Sequence, residues 1–427
     1  MKLIREKYRK LKPQLEYLND EVVIAQAWKK THSYMRTHNW YADTLALDIS
    51  ALGLEENAKT WSKYADNLDR FKPHPLDLVP ASKSEPWIVD GEGKWRPESP
   101  DKRKKKIPVR PLAHMTVRDQ TLSSALMLCL ADSIETRQGD CGEPDFLKAQ
   151  QKKVYSYGNR LLCDWRGSKA WFRWGNAETF RKFFVDYQSF LNRPLEIGRS
   201  VAANDADSDH VFIVNLDLTK FFDHIDRAVL IERLKELSTE ASDEGFWSAA
   251  EKITNWKWSP QSKVVAEKLG LDLKEGLPQG LVSAGFFANA YMIPFDEEVG
   301  RQIGEIVPGS SRIVLQDYCR YVDDLRLVVS VEDVDALSIT DAINTWVAKL
   351  LFSKVGKDLC LNKDKTKVTV LSDLDNSGSI TGRLRMLQDE LSGPADRDVL
   401  ENATGILEGL LALKAEGIPD ELPSSED

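Results

Sequence analysis

Two adjacent aspartates stand out in the segment YCRYVDDLRLVVSV (318–331), where Asp323 and Asp324 separate two apolar stretches that predict buried strands. Burying one unpaired carboxylate is unfavourable, and two neighbouring carboxylates also repel each other. A third carboxylate, Asp217, ends another predicted strand, VFIVNLDL (211–218). If these strands are neighbours in one antiparallel sheet, the three carboxylates converge, and Mg²⁺ would neutralise them because hard cations prefer oxygen ligands. The same short motif, taken alone, also fits ordinary exposed turn acids.

The composition predicts an ordinary globular protein. The 427 residues are 42% hydrophobic and 29% charged, enough for two or three structural units with sizeable cores. The longest apolar stretches have about a dozen residues, too few to span a bilayer. The N-terminus lacks the apolar core of a signal peptide, so we expect a cytoplasmic protein with no membrane partner. Its five cysteines include no CxxC pair, which favours reduced thiols.

Charge is distributed unevenly along the chain. The net charge is −9, but residues 1–200 carry 35 basic and 26 acidic residues, whereas residues 201–427 carry 23 and 41. The densest basic run is DKRKKKIPVR (101–110). A solvated loop would explain this run, and so would a phosphate contact on a nucleic acid or nucleotide. Within it, Lys104, Lys105 and Lys106 are the candidate nucleic-acid contacts.

Hydrophobic periodicity and turn residues indicate the order of the elements. Both helices and short strands are expected, and no internal repeat is evident. We predict helices over most of 1–70, an amphipathic helix over 116–135, a second over 175–193 with Asn176 as its cap, a buried helix after the Gly/Pro turn in 274–292, a helix near 332–353, a strand over 365–371 and helices over 383–416.

Six segments resemble, in family order, the motifs of reverse transcriptases. The most specific is Tyr321-Val322-Asp323-Asp324, which resembles the family's F/Y-x-D-D box. The others are VRPLAHMTVRDQTLSSAL (109–126) and YSYGNRL (155–161), similar to fingers motifs, NLDLTKFFDHID (215–226), GLPQGLVSAGFFANAYM (276–292) and LCLNKDKTKVTV (359–370).

The resemblance implies an α+β fold, a right-hand polymerase with an antiparallel-sheet palm and fingers. We expect these parts to follow in order along the chain. They are a helical N-terminal extension over 1–70, fingers over 71–200, a palm with the catalytic motifs over 201–372, a short helical thumb-like segment over 373–416 and an acidic tail or linker over 417–427.

The resemblance also implies roles for the acidic residues. Asp217, Asp323 and Asp324 correspond to the family's metal ligands, which hold two Mg²⁺ ions, with Mn²⁺ as an alternative ion. Such a pair activates the attacking hydroxyl and stabilises the leaving pyrophosphate. Lys365 matches the late-palm lysine, and the expected role is protonation of that pyrophosphate.

Four further residues correspond to the family's nucleotide contacts. Arg110 matches a fingers cation that pairs with the triphosphate, for which a guanidinium is well shaped. Phe222 matches the aromatic residue that would clash with a ribose 2′-hydroxyl and so select deoxynucleotides. Gln279 matches the nucleotide-contacting glutamine, whose flanking glycines allow close backbone approach. Leu218, next to Asp217, is the fourth expected contact.

The segments KVYSYGNRLLCDW (153–165) and WGNAETFRKFFVDYQSFLNRP (174–194) look most like stand-alone bacterial reverse transcriptases of the abortive-infection and phage-defence groups, relatives of the group II intron and retron enzymes. The resemblance implies RNA-directed DNA polymerisation, with an RNA template that includes a dedicated non-coding RNA as one option, a DNA product and deoxynucleoside triphosphates. Template-independent DNA synthesis and an RNA-binding scaffold with an inactive palm are the alternatives. The sequence leaves open whether the protein forms a homo-oligomer or acts with an accessory protein or a C-terminal domain.

Neutralising Lys104, Lys105 and Lys106 together should weaken affinity for RNA or DNA and flatten its dependence on salt. Each lost phosphate contact reduces the number of counterions released on binding. Binding measured over a range of salt concentrations checks this. If the affinity of the variant depends on salt as steeply as that of the parent, the basic run is a solvated loop.

Overall fold

The computed structural model describes most of the chain through residue 372. The predicted thumb-like segment, the acidic tail and the lysines at 104, 105 and 106 lie outside the described residues. Described are residues 6–37, 43–64, 67–68, 70–82, 87–89, 91–93, 95–97, 109–205, 210–238, 241–332 and 336–372.

The N-terminal region is helical, as predicted. The α-helices among its described residues are α1 (Leu15–Leu18), α2 (Glu21–Thr37), α3 (Thr44–Leu52) and α4 (Leu54–Ser62). The apolar face of α2, including Val23 and Ile24, is buried, and α2 packs against α4 and against a long central helix. This region therefore shares one core with the rest of the described chain.

Three short antiparallel strand pairs and three helices follow. They are β1 (Asp77–Ser82) paired with β4 (Val109–His114), β2 (Trp87–Val89) paired with β3 (Trp95–Pro97), α5 (Val117–Gln138), α6 (Phe146–Gln151), β5 (Cys163–Arg166) paired with β6 (Lys169–Phe172), and α7 (Phe183–Asp205). The predicted boundary between fingers and palm, at residue 200, falls inside α7, which packs on the main sheet. The five-part domain division stays a prediction.

The main sheet is antiparallel and has the strand order β10-β7-β9-β8. Its strands are β7 (Val211–Asp217), β8 (Ile313–Tyr321), β9 (Asp324–Val331) and β10 (Lys367–Val370). The helices of this half are α8 (Arg227–Leu237), α9 (Glu244–Ile253), α10 (Pro260–Leu269), α11 (Ala284–Arg301) and α12 (Ala336–Lys354). The mixture of helices with an antiparallel sheet is the expected α+β class. No helix within the described residues is both long and apolar enough to cross a membrane.

The central helix α5 differs from its prediction. It is enclosed on every side rather than amphipathic, and its polar residues are buried with its apolar ones. Internal hydrogen bonds make this tolerable, because a buried polar group is expensive only when it lacks a partner. Ser124 bonds Thr31 of α2 at 2.8 Å, and Ser123 bonds Ser283 at 2.8 Å.

The prediction of a helix over 175–193 was wrong at both ends. The helix begins at Phe183 and continues through Pro194 to Asp205. Asn176 is not its cap, because its side-chain oxygen accepts a hydrogen bond from the buried Lys30 ammonium at 3.2 Å. Residues in 173–178 instead accept hydrogen bonds from Lys30, whose ammonium also donates to Glu178 O at 2.5 Å.

Candidate active site

The three carboxylates converge as the sequence predicts. Strand β9 lies between β7 and β8, and its register places Asp324 directly opposite both Asp217 and Tyr321. Asp323 occupies the turn beside them, and its carbonyl accepts a hydrogen bond from Leu218 N at 3.2 Å. Antiparallel pairing thus brings residues more than a hundred positions apart to one end of the sheet.

The turn between β8 and β9 is strained. It contains only Val322 and Asp323, and Val322 has a φ of 54°, in the left-handed region. A β-branched residue is unfavourable there, and such conformations cost about 1–3 kcal/mol. Gly158 leaves room for this turn, since a Cβ at that position would lie 2.7 Å from Val322 N. Strain of this kind persists only where surrounding contacts impose it.

The carboxylates make each other harder to ionise. Desolvation, followed by the charges of Asp323 and Asp217, raises the pKa of Asp324 from 3.8 to about 6, although its side chain still reaches solvent. Desolvation and the Asp217 charge also raise the pKa of Asp323. Lys365 and Arg110 oppose this increase for Asp323. For both residues desolvation is the largest cause, and the neighbouring negative charges add to it.

Lys365 is held beside the first aspartate by the chain that precedes β10. Asn362 N donates to Asp217 O at 2.8 Å, and Asn362 Nδ2 donates to Asp217 Oδ2 at 3.1 Å. The same oxygen pairs with Lys365 Nζ at 3.0 Å, although the lysine side chain is largely exposed. Lys365 is thus placed where a proton donor or a charge-balancing cation would act.

The oxygen donors of the cluster are chemically suited to Mg²⁺, and desolvation, with the neighbouring negative charges, raises the pKa values of Asp323 and Asp324. Within the described part of the chain, however, no three acidic, histidine or cysteine side chains are arranged as a ready metal cage. The pairing of Asp217 Oδ2 with Lys365 and Asn362 gives a physical reason. A cation that binds Asp217 Oδ2 would compete with Lys365 and Asn362 for that oxygen.

The expected nucleotide contacts surround the same end of the sheet. Leu277 N donates to Phe222 O at 2.9 Å, and Gln279 Nε2 donates to the Asp223 carboxylate at 3.3 Å. Gly276 permits this contact, because a Cβ there would lie 2.3 Å from Phe222 O. Gly276 thus lies close to the backbone of Phe222 and Asp223, and the nucleotide contact of Gln279 stays a prediction.

Arg110, the expected fingers cation, lies on a strand that is bonded to the same turn. Ala113 N on β4 donates to Gln279 O at 2.7 Å, so the strand that carries the exposed Arg110 rests against the glutamine turn. The positive charge of Arg110 reaches Asp323, whose pKa it lowers against the larger desolvation effect. Leu218 differs from the other expected contacts, because its side chain is 2% exposed and only its main chain faces the turn.

Sequence reasoning missed the residues that support these groups. Gln120 on α5 holds the glutamine turn by donating to Gly280 O at 2.7 Å and accepting from Val282 N at 2.9 Å. Asn289 on α11 donates to Gly158 O at 2.7 Å. The available signal was a polar residue inside an apolar helical run, as in FFANAYM (286–292).

A family model matches the part of the chain that contains the three carboxylates. Residues 178–392, just over half of the chain, match the family model described as "Reverse transcriptase (RNA-dependent DNA polymerase)". No curated protein matches the chain.

Solved structures with detectable similarity include yeast telomerases. The Candida albicans telomerase in complex with a TWJ fragment of telomeric RNA is 12% identical, with a TM-score of 0.39 over 72% of this chain and 44% of that chain. The Candida tropicalis telomerase with a TWJ fragment is 12% identical, with a TM-score of 0.32 over 54% and 42% of the two chains. This chain therefore spans less than half the length of these telomerases.

Replacing Asp324 with Asn should leave thermal stability unchanged or raise it at pH 8 in divalent-free buffer. Because the folded-state pKa is raised, ionisation of Asp324 disfavours the folded state as the pH rises from 3.8 to about 6 and above. The amide removes that effect, so its advantage should disappear towards pH 4. Thermal melts at both pH values measure this.

The exposed Asp341 on α12, replaced with Asn, is the matched control. An Asp324→Asn variant clearly less stable than the parent at pH 8 would contradict the account, since it would mean that the carboxylate is favourably paired.

Proposed function

The chain belongs to the reverse transcriptase family, and we propose that it is an RNA-directed DNA polymerase that adds deoxynucleotides to a primer 3′ end. The observation that supports this most strongly is the register of Asp217 against Asp324, with Asp323 in the adjoining turn. Three carboxylates at one strand end, with Lys365 and the charge of Arg110 beside them, suit a triphosphate and a cation better than they suit folding.

We assign Asp217, Asp323 and Asp324 to the binding of Mg²⁺, which would promote deprotonation of the primer hydroxyl and neutralise the leaving pyrophosphate. A cation would also lower the raised pKa values of Asp323 and Asp324, so its binding favours their ionised forms. Lys365, freed from Asp217, would then lie near the departing phosphates and donate a proton to them. Arg110, exposed on β4, would bind the triphosphate from the opposite side.

We assign the selection of the sugar to Phe222. Its ring is half-buried and packs edge-on against Phe221, with the ring centres 5.4 Å apart. The bond from Leu277 N fixes its backbone. A fixed ring beneath the sugar excludes a 2′-hydroxyl by overlap, because well-packed side chains do not yield easily. Gln279 and the main chain of Leu218 would complete the nucleotide pocket.

Replacing Asp323 and Asp324 together with Ala should abolish deoxynucleotide incorporation on an RNA template while the protein remains folded. The reason is that both oxygen ligands are lost, whereas mutually repelling carboxylates contribute little to stability. Primer extension and circular dichroism measure the two outcomes, with Asp341→Ala as the control. Parental incorporation by the double variant would refute the proposed function, and a product unrelated to the template sequence would favour template-independent synthesis.

Phe222→Ala should increase the use of ribonucleotides relative to deoxynucleotides. The smaller side chain leaves space for the 2′-hydroxyl, and discrimination of this kind commonly amounts to about 1–3 kcal/mol per group. Competing incorporation of the two nucleotide classes gives the ratio. Phe221→Leu is the matched control, because the neighbouring ring is buried in the core. An unaltered ratio in Phe222→Ala would reassign Phe222 to packing.

We further propose that the protein is cytoplasmic and acts in antiphage defence. The support for this is the resemblance of residues 153–165 and 174–194 to phage-defence reverse transcriptases. Bacteria that express the parent should form fewer plaques when challenged with phage than bacteria that express the Asp323→Ala, Asp324→Ala variant. Equal plaque counts across a broad phage panel would count against a defence role.

A further inference from the structure

A buried guanidinium lies directly behind the strained turn. Arg320 is fully buried on β8, two residues before Val322, and its Nη1 donates to Val322 O at 2.9 Å. Its Nε and Nη2 donate to the two carboxylate oxygens of Asp296 on α11, at 3.0 and 2.8 Å. Tyr318 donates to the same carboxylate at 2.8 Å. The guanidinium thus connects the turn to a helix that is rigidly packed in the core.

A second connection runs through Asn289, which lies on α11 seven residues before Asp296. Its side-chain oxygen accepts from Arg320 Nη1 at 3.1 Å, and its Nδ2 donates to Gly158 O at 2.7 Å. Gly158 lies against the turn, since a Cβ there would be 2.7 Å from Val322 N. Arg320 and Asn289 therefore hold both the carbonyl of the turn and the surface against which the turn rests.

The main chain of Arg320 is fixed as well. Arg320 N donates to Tyr155 O at 2.7 Å, and Tyr157 N donates to Arg320 O at 2.9 Å. The segment 155–158 is thus bonded to the edge of β8 immediately before the turn. With both its backbone and its side chain held, Arg320 has little freedom to follow the turn if the turn moves.

We propose that Arg320, Asp296, Asn289 and Gly158 form a clamp that holds Val322 in its left-handed conformation and thereby positions Asp323 and Asp324 for the reaction. This inference rests on the proposed function, and it assigns positioning roles rather than catalytic ones. A hydrogen bond to Val322 O fixes the orientation of the peptide that leads into Asp323. Without that bond, the strained residue would relax and both carboxylates would turn with it.

The matched control is a second buried arginine–aspartate pair, in which Arg193 on α7 pairs with an aspartate on the same strand as Arg320. Arg193 donates to both oxygens of Asp317 on β8, at 2.7 Å each, and both side chains are as inaccessible as those of the clamp. Arg193 has no hydrogen bond to the turn among the described residues; its other partners are Val154 O and the Tyr157 hydroxyl. Replacing either arginine with Lys keeps the charge and loses the bidentate geometry.

The test compares Arg320→Lys with Arg193→Lys in primer extension. In Arg320→Lys, kcat should fall by about 10- to 100-fold, because small displacements of reacting groups have effects of this size, while KM for the deoxynucleotide changes little. In Arg193→Lys, kcat should stay near the parental value. Adding Val322→Gly to Arg320→Lys should recover part of the lost kcat, since glycine adopts the left-handed conformation without a clamp.

Hydrogen exchange provides a readout that does not depend on activity. The peptide covering 318–331 should exchange faster in Arg320→Lys than in the parent, and at the parental rate in Arg193→Lys. If both variants lose kcat equally, or if Val322→Gly recovers nothing, the clamp is wrong and Arg320 is merely a structural ion pair. A parent that incorporates no nucleotide while hydrogen exchange behaves as described would refute the proposed function and leave the clamp in place.

Should Arg320→Lys fail to fold, Gly158→Ala tests the same idea without changing the buried ion pair. The added methyl group would lie 2.7 Å from both Val322 N and Val322 Cγ2, so it must displace the turn. A lower kcat in a folded Gly158→Ala variant would support the clamp, and a parental kcat would overturn it.

Discussion

The mutual repulsion of three carboxylates is the constraint on which the rest of the structure depends. Asp217, Asp323 and Asp324 are brought together by strand register, and desolvation together with the charges of Asp323 and Asp217 raises the pKa of Asp324 to about 6. The surrounding protein must hold these groups in place against their own electrostatics. An antiparallel sheet with buried strands on both sides of the turn provides the necessary rigidity.

Two helices pack against this sheet and stabilise the hairpin from different directions. On one side, the rings of Phe183, Tyr187 and Phe190 on α7 surround Tyr321, with ring centres 5.2 to 5.7 Å away. On the other side, α11 contributes Asp296 to the buried pair with Arg320. Buried ion pairs are weak evidence for stability, but they specify geometry where a charge has only one suitable partner. Arg320 and Tyr321, immediately before the turn, are thus held by side chains of both helices.

The sequence predicted the residues of the candidate site better than it predicted the residues that hold them in place. Asp217, Asp323 and Asp324 could be recognised because residue type, strand pattern and motif order all agree. The role of Asn176 could not, because its partner Lys30 is 146 positions away and a helix cap fits the local sequence equally well. The same reason explains why α5 was predicted to be amphipathic. Its serines fit a helix face exposed to solvent, and only the tertiary structure shows that Thr31 and Ser283 bond them in the core. Local patterns identify chemistry, whereas tertiary partners decide which polar residues are buried.

We propose that the carboxylate cluster binds a divalent cation and that the bound cation displaces Lys365 from Asp217. Crystals of the protein soaked with Mn²⁺ and measured at the manganese edge test this directly, because anomalous scattering locates the ion. The account predicts an anomalous peak among Asp217, Asp323 and Asp324, with Lys365 Nζ displaced from its position 3.0 Å from Asp217 Oδ2. No peak at that position, with Lys365 still paired to Asp217, would contradict it.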